Sequence, residues 1–121
     1  MPYSIQKNDS NITTVIYTGS VGLNERKMAV DEVCGLVESS IPVRLLIDVR
    51  NIIMDMSTED QVHFGKYVAT REQFSEAKVA VVHNRENSPN ILISTTAYLE
   101  GYRVVEFDDP NEAELWLLGS F

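Results

Sequence analysis

The sequence predicts an α/β protein with the element order ββαβαβαβα, in which about four helices cover a mixed, mostly parallel sheet of five strands. Short apolar segments rich in β-branched residues alternate with longer amphipathic segments, which is typical of strands alternating with helices. Two β-type segments at the start are separated by a run of turn formers, which indicates a hairpin. With 121 residues, 44% of them hydrophobic, the chain can bury one core. We therefore treat residues 1–121 as a single domain.

The first two strands are predicted to form an antiparallel hairpin. Tyr3–Lys7 alternates in polarity, Ile12–Thr18 is rich in β-branched and aromatic residues, and Asn8-Asp9-Ser10-Asn11 between them is dense in turn formers. Gly19-Ser20-Val21-Gly22 then breaks the β pattern. It lacks the glycine spacing of a dinucleotide-binding loop and the Gly-Lys-Ser/Thr of a P-loop, so we interpret it as a turn.

The first helix is predicted over Asn24–Ser40, and a short buried strand, Val43–Asp48, follows Pro42. Apolar residues recur every three to four positions in this helix and define its buried face: Met28, Ala29, Val33, Cys34 and Val37. The second helix is predicted from Ser57 to about Phe74, with a less regular apolar face.

The second half of the chain continues the alternation. Lys78–His83 is predicted as a buried strand, Ser88-Pro89 opens the third helix, and Gly101 closes it in a left-handed conformation. Tyr102–Phe107 is the last strand. Asp109-Pro110 caps and starts the final helix, because proline at the first helical position lacks an amide that would have no partner there.

The composition excludes several classes of function. The net charge of −8 disfavours nucleic-acid binding, which needs clustered Lys and Arg. The single cysteine, Cys34, excludes an internal disulfide and a cysteine-based metal cluster. The sequence has no apolar run long enough to span a membrane and no secretory signal at its N-terminus, so we expect a cytoplasmic protein without a membrane span.

The loops after the parallel strands are expected to meet at one edge of the sheet, where ligands and partners of such folds bind. Loop 48–56 and the start of the second helix lie at this edge. The loop is unusually apolar, since it contains Ile53, Met54 and Met56. These side chains either fold inward against the core or form a surface for a protein partner or a small apolar ligand.

Asp48 and His83 each end a predicted buried strand and could face each other as an acid–base pair or as metal ligands, with Arg50, Asp55 and His63 as companions. The alternative is that Asp48 accepts backbone amides in the turn that follows it. Two histidines at unrelated spacing are no metal signature. We therefore assign no catalytic residue, metal ligand or cofactor, and a hydrolase or metal enzyme using this pair is the least favoured hypothesis.

Ser57 begins the sequence Ser-Thr-Glu-Asp and has two interpretations. As a helix cap, its hydroxyl accepts an amide of the first turn, and Glu59 and Asp60 favour the positive end of the helix dipole. As a phospho-acceptor, it would place an anion at a helix N-terminus, which is favourable. The carboxylates of Asp55, Glu59 and Asp60 would repel that anion.

Several segments resemble STAS domains, in particular a SpoIIAA-like branch related to the lipid-binding CRAL-TRIO fold. They are RLLIDVRNIIMDMS (residues 44–57), KVAVV (78–82) and the ending YRVVEF (102–107) followed by NEAELWL (111–117). The resemblance covers most of the chain and implies a STAS-like ββαβαβαβα fold.

The resemblance also assigns a position to Ser57. In the anti-sigma-factor antagonists of this family, an apolar strand and a short loop precede Asp-Ser-Ser-Gly at a helix start, and a partner kinase phosphorylates the second serine. Asp55 and Ser57 match that aspartate and that serine, while Met56 and Thr58 replace the first serine and the glycine.

The resemblance and the apolar loop together predict a non-catalytic regulatory module that binds a protein partner through loop 48–56 and the N-terminus of the second helix. The alternative is a carrier or sensor of a small apolar ligand held between the helices and the sheet. A homodimer is a further expectation, because the hairpin leaves an unpaired edge strand and Tyr3 and Tyr17 could pack across a two-fold axis.

Overall fold

The computed structural model describes residues 2–37 and 42–119, and it begins with the expected hairpin. Strands β1 (Tyr3–Lys7) and β2 (Ile12–Val21) pair antiparallel, from Tyr3 opposite Tyr17 to Lys7 opposite Thr13. The Asn8 side chain stabilises the turn because its Oδ1 accepts the Ser10 amide at 2.9 Å and the Ile12 amide at 3.0 Å.

The other elements follow in the predicted alternation. They are α1 (Leu23–Leu36), β3 (Arg44–Met54), α2 (Thr58–Ala69), a 3-10 turn (Glu72–Phe74), β4 (Lys78–Val82), α3 (Ile91–Leu99), β5 (Arg103–Phe107) and α4 (Pro110–Leu118). The sheet order is β1-β2-β3-β4-β5, and all neighbours except β1 and β2 are parallel. The predicted mixed, mostly parallel α/β fold is confirmed.

The helices divide unequally between the two faces of the sheet. Helices α1, α2 and α3 cover one face, where Val33, Phe64 and Ile93 belong to the main core together with Val79 and Val81. Helix α4 covers the other face, where Ala113 and Leu117 pack against Leu46, Ala80 and Val82. Successive residues of β4 therefore enter different cores, because strand side chains alternate between faces.

Helices α2 and α3 approach closely at Gly65. A Cβ atom at this position would lie 2.7 Å from Cβ of Thr96 and 3.1 Å from the backbone oxygen of Ile93. Glycine is therefore needed for the packing of these two helices, and this packing fixes α3 over the sheet.

Two boundaries at the sheet edge that holds residues 48–56 differ from the sequence prediction. Gly19-Ser20-Val21 does not form a turn but continues β2, with Gly19 at a φ of 72°. Segment 48–56 is not a loop either, because Asn51–Met54 extends β3 and pairs with Thr18–Val21. A register shift between Ile16 and Thr18 inserts an extra residue in β3, as a β-bulge does, and the two strands continue together beyond it.

The remaining boundaries are mostly as expected. Gly101 has a φ of 99°, and Asp109 caps α4 by accepting the Asn111 amide at 2.9 Å. Helix α3 begins at Ile91 rather than at Ser88-Pro89. Helix α2 ends at Ala69, and the predicted end of the first helix at residues 38–40 lies outside the described residues. Within the described part of the chain, no helix combines the length and the apolar character needed to cross a membrane.

Candidate functional site

The predicted interaction segment forms one end of the sheet, and we call residues 48–57 the rim. It consists of the second half of β3, Asp55 and Met56, and the cap of α2. The rim is attached to β2, since the Asp55 amide donates to the Val21 carbonyl at 3.2 Å and the Ser20 hydroxyl donates to Asp55 Oδ2 at 3.3 Å. The rim is therefore fixed by hydrogen bonds to a neighbouring strand.

The apolar residues of the rim separate into buried and exposed ones. Met56 is buried, and Met54 is half-buried against the main core, so these two follow the inward alternative. Ile53 is 64% exposed. The alternation of a strand explains the difference, because Met54 lies opposite buried Val21 while Ile53 lies opposite exposed Ser20.

Asp48 is buried and is engaged by Arg50. Its Oδ1 accepts the Arg50 amide at 3.0 Å and Nε at 3.1 Å, and its Oδ2 accepts Nη2 at 2.8 Å. Burial raises the pKa of Asp48, but the hydrogen bonds from Arg50 outweigh burial and hold this pKa below its ordinary value. Asp48 therefore accepts a backbone amide from the residues that follow it, as the alternative interpretation of Asp48 predicted.

His83 does not face Asp48. Asp48 lies opposite Val82, whereas Glu106 lies opposite Val81 and therefore points to the other face of the sheet. His83 Nε2 lies 3.7 Å from Glu106 Oε1 on that face. The structure thus corrects the expected Asp48–His83 pair. No group of three or more His, Cys, Asp and Glu side chains in the described residues is placed to hold a metal ion.

Ser57 caps α2 as predicted. Its backbone is extended, with φ −65° and ψ 166°, and its hydroxyl oxygen accepts the Asp60 amide at 3.1 Å. The Ser57 side chain is exposed, and Glu59 and Asp60 place two carboxylates in the first turn of the helix. The cap therefore presents a hydroxyl and a cluster of negative charge at the rim.

The two tyrosines expected at a dimer interface lie inside the chain. Tyr3 and Tyr17 are 6% and 2% exposed, and their rings meet edge to face with centroids 6.2 Å apart. The Tyr3 hydroxyl donates to Glu32 at 2.6 Å. Both side chains are buried in the main core of the chain, so the expectation that they pack across a two-fold axis is wrong.

A cavity lies between the sheet and helices α1, α2 and α3, where the ligand-carrier alternative placed a small apolar ligand. It has a volume of about 60 Å³, and its walls include Tyr17, Leu45, Val81, Phe64, Ile93 and Ala97. Polar side chains also line it, among them Arg26 from α1, Asn90 from the turn before α3 and Ser94 from α3. None of the residues predicted for the site belongs to its lining.

Arg26 is the unexpected feature of this cavity. It is 1% exposed, and its Cζ atom lies 4.6 Å from the ring centroid of Tyr17 and 5.8 Å from that of Phe64. Its Nε and Nη2 atoms are buried and have no hydrogen-bond partner. Burial lowers the pKa of Arg26, against the opposing influence of Tyr17.

The sequence did contain a signal for Arg26. Arg26, Ala29, Val30 and Val33 are the buried residues of α1, and their spacing is that of one helix face. The predicted face included Met28 instead, but Met28 is 50% exposed. An arginine at the same helical spacing as the apolar residues indicates that its side chain is buried.

Comparisons with solved structures identify the fold of this chain. No protein-family model and no curated protein matches the sequence. Among solved structures, the chain is similar to an uncharacterized protein of the DUF3478 family with a SpoIIAA-like fold from Shewanella loihica PV-4. The TM-score is 0.62, the sequence identity is 16%, and the match covers 95% of this chain and 91% of the other.

The chain is also similar to the anti-sigma factor antagonist SpoIIAA in its unphosphorylated form. This match has a TM-score of 0.64 and 9% sequence identity, and it covers 98% of this chain and 99% of the other. Both matches extend over nearly the whole chain at low identity, so they establish the architecture rather than the activity. The protein has a SpoIIAA-like fold.

Proposed function

We propose that the protein is a non-catalytic regulatory module that binds a protein partner through the rim. The observation that carries this proposal is the 64% exposure of Ile53 on a hydrogen-bonded strand beside the exposed cap of α2. The similarity to an anti-sigma factor antagonist supports a regulatory role, because that protein shares this architecture. Buried Asp48 contributes by bonding to Arg50 and so supporting the rim rather than by chemistry.

The rim has the composition of a small binding surface. Ile53 supplies an apolar centre, and exposed polar residues, Ser20, Asp55 and Ser57, lie on the strand opposite it or follow it in the chain. Apolar centres with polar surroundings are typical of protein interfaces. Asp55 and Glu59 add exposed negative charge to a chain of net charge −8. We infer a partner with an apolar pocket and basic residues around it.

Ser57 acts in this proposal as the cap of α2 and as part of the binding surface. A phosphate on its hydroxyl would lie near the carboxylates of Asp55, Glu59 and Asp60, which would repel it. The proposed function therefore includes no phosphorylation step. Detection of phosphate on Ser57 in protein isolated from its native cell would overturn this part of the proposal.

The experiment is affinity capture from the native lysate with wild type, Ile53→Lys and Leu99→Lys. Leu99 is a matched control because it is 77% exposed and ends α3, away from the rim. A partner of the proposed kind is retained by wild type and Leu99→Lys and lost with Ile53→Lys, because lysine removes the apolar contact and repels basic residues. Equal capture by all three proteins would contradict the proposal. Met54 and Met56 are unsuitable targets, since both pack inward.

A second function, the carriage or sensing of a small ligand, is favoured by the cavity at Arg26. The cavity lies between the helices and the sheet and is lined mainly by apolar side chains. The test compares native and denaturing mass spectra of freshly purified protein. A ligand-binding protein should show an additional mass under native conditions that denaturation removes, and identical masses would count against this function.

A further inference from the structure

Arg26 places a full positive charge inside the main core. Arginine stays protonated in proteins, and transfer of a charged group from water into a core is costly unless an opposite charge compensates it. Among the described residues, no carboxylate forms an ion pair with Arg26. The two aromatic rings beside it compensate only part of the cost.

The neighbouring phenol is not a counter-ion. Burial raises the pKa of the Tyr17 hydroxyl above its ordinary value, so Tyr17 is neutral at physiological pH. Tyr17 therefore offers Arg26 a ring face but no negative charge. Among the described residues, no negatively charged group therefore pairs with the Arg26 guanidinium.

The unpartnered atoms of Arg26 have the geometry of a carboxylate site. Nε and Nη2 lie on the same side of the guanidinium, where their N–H groups are parallel and match the two oxygens of a carboxylate. Both atoms are buried, and Arg26 lines the cavity.

The rest of the cavity restricts the size and character of the ligand. Its other walls are mostly aliphatic and aromatic, including Leu45, Val81, Ile93 and Ala97. A volume of about 60 Å³ corresponds to roughly four to six water-sized positions. This space suits a short apolar chain and is too small for a long lipid tail without movement of the helices.

We propose that the cavity binds a small monocarboxylate with a short apolar chain, whose carboxylate pairs with Nε and Nη2 of Arg26. The proposal deepens the second candidate function, ligand carriage or sensing, and rests on it. It is independent of partner binding at the rim, because none of the rim residues lines the cavity. This proposal differs from the small apolar ligand expected from the sequence in one respect, because the ligand carries a carboxylate in addition to its apolar chain.

The test is isothermal titration of the purified protein with sodium butyrate and, separately, with 1-butanol and butylammonium chloride. The three probes share an alkyl chain and differ in the head group. Butyrate should bind in a 1:1 complex at least tenfold more tightly than butanol, and butylammonium should not bind. Equal affinity for butyrate and butanol, or no butyrate binding at millimolar concentration, would overturn the proposal.

Two variants locate the site. Arg26→Met keeps the length of the side chain and removes the charge, so butyrate affinity should fall to that of butanol. Ala97→Leu keeps Arg26 and fills the cavity, so butyrate binding should be lost while the far-ultraviolet circular dichroism spectrum stays native. Full butyrate affinity in either folded variant would overturn the proposal. Loss of rim-dependent partner capture with butyrate binding intact would overturn only the first candidate function.

Discussion

The guanidinium of Arg26 lies over the ring of Tyr17, with 4.6 Å between the Cζ atom and the ring centroid. A desolvated cation–π contact of this kind contributes about 2 kcal/mol. The cost of burying the charge without an acidic partner amounts to several kcal/mol, which is about twice as much or more. We therefore expect Arg26 to lower the stability of the protein without a ligand, as a residue that serves binding rather than folding would.

Replacement of Arg26 by methionine should stabilise the protein in the absence of ligand. Arg26→Met removes the buried charge and keeps an apolar side chain of similar length, so we expect the free energy of unfolding to rise by about 1–2 kcal/mol. Urea unfolding followed by circular dichroism measures this change. Arg85→Met is the control, because the Arg85 side chain is 82% exposed, and its effect should stay within about 0.5 kcal/mol. Destabilisation by Arg26→Met would show that the arginine is structural.

Removal of the Ser57 cap should weaken α2. We expect Ser57→Ala to lower the free energy of unfolding by about 1 kcal/mol, because the Asp60 amide loses its acceptor. Ser57→Asn should retain most of the stability, since asparagine is an equally good cap and adds no negative charge. Thr58 is exposed and follows the cap, so Thr58→Ala should change the stability by less than about 0.5 kcal/mol. Thermal unfolding distinguishes these variants, and an unchanged Ser57→Ala midpoint would contradict the capping role.

Addition of one methyl group at Gly65 should disturb the packing of α2 on α3. A Cβ atom there would lie 2.7 Å from Cβ of Thr96, so we expect Gly65→Ala to lower the free energy of unfolding by about 1–3 kcal/mol. Gly35 in α1 is the matched control, because a Cβ atom there meets nothing within 4 Å. Gly35→Ala should raise the stability by about 0.5–1 kcal/mol through helix propensity. Opposite signs for the two variants in urea unfolding would confirm the contact, and equal signs would refute it.

The interaction of Asp48 with Arg50 should depend on pH in a defined direction. The pKa of Asp48 is lowered in the folded state from its ordinary value of 3.8, so its contribution to stability is complete above pH 3.8. This contribution is lost as the pH falls through the lowered value. A double-mutant cycle of Asp48→Asn and Arg50→Met should therefore show coupling at pH 7 that decreases as the pH falls below 3.8. Coupling that persists in acid would mean that the ionised carboxylate is not responsible.

The element order could be predicted from the sequence because each strand and helix carries its own local pattern. The hairpin turn around Asn8, the proline start of α4 at Pro110 and the cap at Ser57 depend on residues within a few positions of each other. The strand extension Asn51–Met54 could not be predicted in this way. It depends on pairing with Thr18–Val21, more than thirty residues earlier in the chain, in which Gly19 acts as a strand residue.

The candidate site was predicted only in part for a similar reason. The position of Ile53 at the proposed partner-binding edge followed from the rule that parallel strands direct their carboxyl ends to one edge of a sheet. The burial of Met56 and the separation of Asp48 from His83 depend on strand register, which one sequence does not reveal. The surroundings of Arg26 are formed by three helices and the sheet together. The local sequence pattern could therefore indicate that Arg26 is buried, but not that its Nε and Nη2 atoms have no hydrogen-bond partner.

Amide hydrogen exchange of the protein, measured with and without the partner captured by wild type, tests the central claim that the rim binds it. We expect the partner to slow exchange across residues 51–58 and to leave residues 92–99 of α3 unchanged, because only the first segment carries Ile53 and the α2 cap. Protection confined to other parts of the chain, with exchange at 51–58 unaffected, would contradict it.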